Sequence, residues 1–320
     1  MTVREILSQP DLSLTPSEER IIQVLLAEYP IAGLGTANSL AKKAGVSDPT
    51  VTRLVVKLGF EGFPDFQAKL ISDVETRLQS PLQMMETKKS QVGDEGPVVT
   101  YLRSVSNLIE KTIGATPVTT YDRAARLLMD ARQVVVLGGR FSRHVAGMLG
   151  SYLLQFRSNV RDADTLSAQE FDTLVDMGRK DVLVVFDYRR YQRDVVEYST
   201  QAAANGVKIV LFTDQWLSPI AEVAEVTIIA PQDVASPYDT LVPSLAQMEA
   251  LVASLVANMT SEMRGRIEKL ESIRGANGIT IDSVREERAS QQDGKQFLRS
   301  PANGRKSGST THGGKAARNA

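Results

Sequence analysis

Along the first eighty residues apolar side chains recur at helical spacing. The stretch "LTPSEERIIQVLLAEYP" opens with Thr15 as an N-cap, Pro16 at the first helical position and Glu18 three residues after the cap. Ile21, Ile22, Val24, Leu25 and Leu26 then cover a wide apolar face, and Pro30 marks its end. A second helix is predicted over about residues 36–44, stopped by Gly45 in the left-handed conformation. Ser47 caps a third, with Val51, Leu54, Val55 and Leu58 apolar at helical spacing and Gly59 at its end. "FEGFPDFQAKLISDVETRL" continues as a turn and another helix. Over about residues 80–96 the pattern dissolves into "SPLQMMETKKSQVGDEG", which reads as a linker with some helix.

The period changes after Pro97. Helical stretches at about 97–115 and 119–131 lead into "QVVVLG", a run of β-branched residues ending in glycine. Similar runs recur at "DVLVVF", "VKIVLF" and "EVTIIA", each separated from the next by a helix-like segment. Strand and helix alternating in this way predict βαβ units and a parallel sheet. One long helix is predicted over about residues 240–272. The chain's end, residues 286–320, is rich in Gly, Ser, Asn and Gln and is expected to be a disordered basic tail. From Arg285 onward it holds eight Lys or Arg against three Asp or Glu. A solvating tail or weak non-specific attraction to DNA would both account for that excess.

Composition narrows the chemistry. The 320 residues are 42% hydrophobic and 23% charged with a net charge of −1, so a nucleic acid would have to be recognised by a local patch. There is no cysteine, which excludes disulfides and thiolate nucleophiles. The two histidines, His144 and His312, are far apart, and no metal site or cofactor is expected. The start "MTVREILSQPDLSL" lacks the apolar core of a signal peptide, and no apolar run approaches a membrane span. A cytoplasmic protein without a membrane partner is the expectation.

"TANSLAKKAGVSDPTVTRLVVKLGF" is a helix, a glycine turn and a capped helix, with Ala41 and Gly45 small where two helices cross and Val46 as the apolar plug. This is helix-turn-helix grammar. Asp48, Thr50, Thr52, Arg53 and Lys57 are left on the outer face of the second helix. Thr50 and Arg53 are placed to reach base edges, and Lys42, Lys43 and Lys57 to meet phosphates. Residues 36–60 hold four Lys or Arg against Asp48 alone. A plain helical bundle would satisfy the same spacing. The string "AGVSDPTVTRLVVKLGFEGFPDF" resembles the N-terminal domain of RpiR-type transcriptional regulators, over about residues 13–78. The matching residues are Gly45, Val46, Ser47, Thr50, Arg53, Leu58, Gly59, Phe60, Gly62, Phe63 and Phe66.

That resemblance implies a helix-turn-helix domain (1–80), a linker (81–96), and a sugar isomerase (SIS) domain (97–275). The SIS part would be an α/β/α sandwich with a five-stranded parallel sheet that senses an effector and dimerises. In SIS domains two loops commonly hold a phosphate, one with a G-x-G-x-S pattern after the first strand and one with S-x-S-G-x-T after the third. Here the first is "GGRFSRHVA": Gly138 and Ser142 match, and Arg140 replaces the second glycine. In the second, Asp187, Arg189, Arg190 and Gln192 stand where Ser, Ser, Gly and Thr are expected. Arg140, Arg143, Arg189, Arg190 and Arg193 thus lie in or beside the two loops.

Guanidinium forks grip phosphate or carboxylate, so one reading is an acidic or sugar-phosphate effector. The other pairs Arg189 and Arg190 with Asp187, Asp194 or Glu197 merely to fix the turn. His144, Asp187 and Glu170 are weak candidates for acid–base work. The leading expectation is a regulator of carbohydrate or related metabolism that binds double-stranded operator DNA as a homodimer or homotetramer. A sugar-phosphate isomerase with an added helical domain, and a SIS scaffold that only oligomerises, are the competing readings.

Overall fold

The computed structural model describes residues 2–9, 12–78, 81–88 and 95–279. The predicted basic tail, with His312, lies outside the described residues. The described residues up to Arg264 form one compact unit, and those from Gly265 to Ile279 fall in a second.

The N-terminal part is helical: Val3–Leu7 (α1), Pro16–Ala27 (α2), Ile31–Leu34 (α3), Ala37–Ala44 (α4), Asp48–Lys57 (α5) and Phe63–Leu78 (α6). Thr15 caps α2 through a capping box with Glu18, as the sequence predicts. The helix α1 was not anticipated, because five residues are too few to show a period. Thr2 and Glu5 cap it reciprocally, and the Val3 N–H donates to Asp73 Oδ2 at 2.6 Å, which ties it to α6. Ile21, Leu25, Leu40, Val51, Leu54 and Val55 meet in one apolar core. Phe66 lies beneath them, with ring centroids 5.3 Å from Phe60 and 5.7 Å from Phe63. The phenylalanines of the resemblance therefore serve packing.

After Pro81–Lys88 (α7) come Pro97–Ile113 (α8) and Val118–Asp130 (α9). A βα alternation follows: Val134–Gly138 (β1), Arg143–Phe156 (α10), Val160–Asp162 (β2), Ala168–Asp172 (α11), Val182–Phe186 (β3), Arg193–Ala204 (α12), Lys208–Asp214 (β4) and Val226–Ala230 (β5). Val242–Ala257 (α13) and Ser261–Ala276 (α14) complete it. The five strands are all parallel, in the order β2-β1-β3-β4-β5. β1 and β3 are buried along their whole length, which is why they read as unbroken apolar runs. β2 escaped the sequence because its three residues, Val160, Arg161 and Asp162, are half-exposed and mixed in polarity.

The single long helix expected over 240–272 is two helices. Asn258 caps the first, its side-chain Nδ2 donating to Ser254 O at 2.9 Å, and Thr260 Oγ1 accepts from the Met263 N–H as the second begins. Two side chains that compete with the helical ladder sit side by side there, and the ladder breaks between them.

Candidate functional site

In the helix-turn-helix, Gly45 ends α4 at φ +64°, and a Cβ there would touch nothing within 4 Å. Its requirement is the left-handed backbone alone, not a close helix crossing. Ala41 is buried, and Val46 packs against the core as the predicted plug. Ser47 occupies the N-cap position of α5, but its hydroxyl lies 2.8 Å from Thr50 Oγ1 and does not cap the backbone. Thr52 and Arg53 are exposed, and Arg53 Nε donates to Pro49 O along its own helix at 3.2 Å. The predicted phosphate-binding lysines divide into two kinds. Lys43 pairs with Glu28, and Lys57 donates to Glu18 Oε2 at 2.8 Å and to Ser13 O, so both are tied back to the domain. Lys42 is exposed and has no side-chain partner among the described residues.

The second site follows from the strand order. β1 is flanked by β2 on one side and β3 on the other, so the chain leaves β1 and β3 in diverging directions. A crevice opens there at the carboxyl edge of the sheet. Gly138 ends β1, where a Cβ would lie 2.5 Å from the Arg143 backbone nitrogen; only glycine lets α10 start that close. Beyond it lies a cavity of about 600 Å³. Arg140, Ser142, Asp187, Arg189, Arg190 and Gln192 all line it.

Within that cavity the predicted residues do different things. Gln192 joins the two loops: its Oε1 accepts from the Arg140 N–H at 3.0 Å, and its own N–H donates to Asp187 Oδ1 at 3.3 Å. The Ser142 hydroxyl is buried and turned to Phe186 O at 2.6 Å, with Gly139 O at 3.0 Å, so its proton is spent on the backbone. Arg189 is buried and grips Asp239 with two nitrogens, Nε at 2.9 Å from Oδ2, while its guanidinium lies 4.5 Å from the Trp216 ring centroid. The anticipated pairing with Asp187, Asp194 or Glu197 is thereby corrected: Arg189 reaches across to the loop after β5. Arg193 pairs with Glu197 on its own helix, and Arg143 lies 3.8 Å from Asp164, outside the cavity lining. Arg140 and Arg190 are exposed, and neither guanidinium pairs with a carboxylate among the described residues.

Asp187 is nearly inaccessible and accepts from Ser218 Oγ at 2.5 Å. Burial pushes its carboxyl up to about 7. Asp214 is likewise raised by burial, although it accepts from the Arg189 N–H, the Tyr191 hydroxyl and the Trp216 N–H. Tyr188 is buried, consistent with the packing role expected of a tyrosine beside a turn. His144 is an exposed member of the cavity wall. Glu170 is bound by Arg161 and the Tyr198 hydroxyl, away from the cavity. No cluster of three His, Cys, Asp or Glu side chains placed to hold a metal occurs among the described residues. No helix there is long and apolar enough to cross a membrane.

Several cavity residues were missed from the sequence: Asp239, Tyr238 and Gln232 after β5, Met84 on α7 and Tyr101 on α8. Gln232 is fully buried, and neither its Oε1 nor its Nε2 has a hydrogen-bond partner. The signal for the β5 loop was present, since "PQDVASPYDT" is a long polar connection leaving the same sheet edge.

Fold and site together define a two-part regulator, a helix-turn-helix domain followed by a SIS domain. The helix-turn-helix domain of the rpiR family matches residues 1–77, and the SIS domain matches residues 127–255. This is the domain pair of the RpiR-type transcriptional regulators. The chain is 23% identical over 269 residues to an HTH-type transcriptional regulator of Clostridium perfringens, covering 82% of this chain and 95% of that one. It is 24% identical over 268 residues to the regulator HexR of Pseudomonas aeruginosa, covering 81% and 90%. The sugar isomerase domain of an RpiR transcription factor from Sphaerobacter thermophilus superposes with a TM-score of 0.51 at 23% identity, over 55% of this chain and 98% of that one. The chain is thus a transcriptional regulator of the RpiR and HexR type with a SIS domain.

Proposed function

We propose that the protein binds operator DNA through the exposed face of α5, as a homodimer or homotetramer, and that a small phosphorylated or otherwise acidic metabolite in the β1–β3 cavity changes that binding. The observation that carries the sensing half is the cavity itself. It sits at the switch point of the sheet and, among the described residues, has two unpaired guanidiniums at its exposed side and an unpartnered amide among its buried groups. Buried polar groups without partners cost stability unless something fills the site.

The reading half rests on α5. Thr50, Thr52 and Arg53 lie near its outer start, and Arg53 has the fork that suits guanine. Self-association is supported by α8, where Val98 and Leu102, one helical turn apart, are 68% and 60% exposed. Two α5 helices held about 34 Å apart would meet successive major grooves.

The experiment is binding of the full chain to the DNA upstream of its own gene. Arg53→Ala should weaken specific binding by about 1–3 kcal/mol per half-site and leave the melting temperature unchanged. Lys42→Ala should weaken all sequences alike and lower the salt slope by about 0.9 per half-site. Undiminished specific binding by Arg53→Ala would remove α5 from the reading role.

A further inference from the structure

We propose that the β1–β3 cavity selects an organic acid with an apolar body and a polar far end, rather than a polyhydroxylated sugar phosphate. This rests on the effector reading above and deepens it. The cavity is layered by chemistry. At its exposed side stand Arg140 and Arg190, two cations without carboxylate partners among the described residues. Its apolar wall is Phe141, Val145, Met148, Leu241 and Leu245, with Met84 from α7. Its most buried lining residues include Tyr188 and Gln232, the latter with an amide unpartnered among the described residues.

Each layer restricts the occupant. An anionic group belongs at the exposed side, because the two guanidiniums without carboxylate partners among the described residues stand there, while the buried Arg189 is already neutralised by Asp239. A sugar phosphate in that orientation would set most of its hydroxyls against aliphatic and thioether walls, where they lose water, with the exposed His144 and Tyr238 as polar exceptions. The Ser142 hydroxyl does not rescue them, since its proton goes to Phe186 O. The loop after β3 offers Asp187, Arg189 and Gln192, each already engaged with protein. An apolar body satisfies those walls. A hydroxyl or amide at its far end satisfies Gln232, which can both donate and accept.

The test is a set of titrations of the full chain by calorimetry and thermal shift with 4-hydroxyphenylpyruvate, phenylpyruvate and ribose 5-phosphate. The wild type is expected to bind 4-hydroxyphenylpyruvate at least tenfold more tightly than ribose 5-phosphate. Arg140→Ala with Arg190→Ala should weaken both aromatic acids at least tenfold. Gln232→Leu should abolish the preference for the hydroxylated acid over phenylpyruvate while leaving phenylpyruvate bound. Should that variant fail to fold, the order of the three probes on the wild type decides alone. Tenfold tighter binding of ribose 5-phosphate would overturn this inference and leave the effector reading standing. Aromatic acids bound equally well by the double arginine variant would place them elsewhere and overturn it. No binding by any of the three would overturn both.

Discussion

Arg189 and Asp239 close a two-pronged ion pair between the loop after β3 and the loop after β5, with Trp216 stacked against the guanidinium. The arginine side chain is 2% exposed and the aspartate 18%. A pair so placed is costly to break from one side, because the remaining charge stays buried. Arg189→Ala should therefore lower stability by about 3–5 kcal/mol, with or without ligand. Arg190→Ala, which removes an exposed group without a carboxylate partner among the described residues, should change it by less than about 0.5 kcal/mol. Denaturant melts of the two single variants check this, and equal losses in both would contradict the division of roles.

Asp187 gives a pH signature. Its folded carboxyl keeps a proton up to about pH 7, whereas an unfolded aspartate releases its proton near 3.9. Between those values the folded state binds more protons, so its contribution is full below about pH 4 and is lost as pH rises through about 7. Asp187→Asn cannot ionise. Its melting temperature relative to wild type should rise between pH 5 and pH 8, because only the wild type loses the stability that the protonated Asp187 contributes. A gap that is the same at both pH values would remove the raised carboxyl.

The helix α7 is the covalent route from the DNA-binding helices to the sheet, and it is fastened at the cavity. Lys88 Nζ lies 2.5 Å from Asp233 Oδ1 and donates to Val234 O at 2.7 Å, while Met84 Sδ lies 3.3 Å from an Arg189 nitrogen. Lys88→Ala should accelerate amide exchange over residues 81–88 at least tenfold and leave the global melting temperature within about 1 °C. It should also reduce any effect of ligand on DNA binding. Unchanged exchange in that segment would mean that the lysine does not hold α7.

Much of this was legible in the sequence, and what was not has physical causes. The helix-turn-helix and four of the strands announced themselves because capping residues, glycine stops and apolar periods are local. The strand β2 and the helix α1 are too short for a period to show. The fates of the predicted site residues were decided by partners distant in sequence. Lys43 and Lys57 look free until Glu28 and Glu18 fold beside them. Arg189 looks like a ligand clamp until Asp239, fifty residues on, takes it. Ser142 fits the phosphate-loop pattern, yet its hydroxyl is claimed by a carbonyl of the neighbouring strand. Gln232 carries no motif at all; only its burial without a partner marks it.

The central claim is that occupancy of the cavity changes DNA binding by α5. Its most direct test is fluorescence anisotropy of the full chain on labelled DNA from upstream of its own gene, with and without saturating 4-hydroxyphenylpyruvate. Coupling between two such sites ordinarily spans about 5- to 150-fold. The wild type should therefore show a change in DNA affinity of at least about fivefold on adding the acid, and the variant Arg140→Ala with Arg190→Ala should show none while keeping its affinity without ligand. An affinity that the acid leaves unchanged in the wild type, or shifts equally in both proteins, would contradict the account.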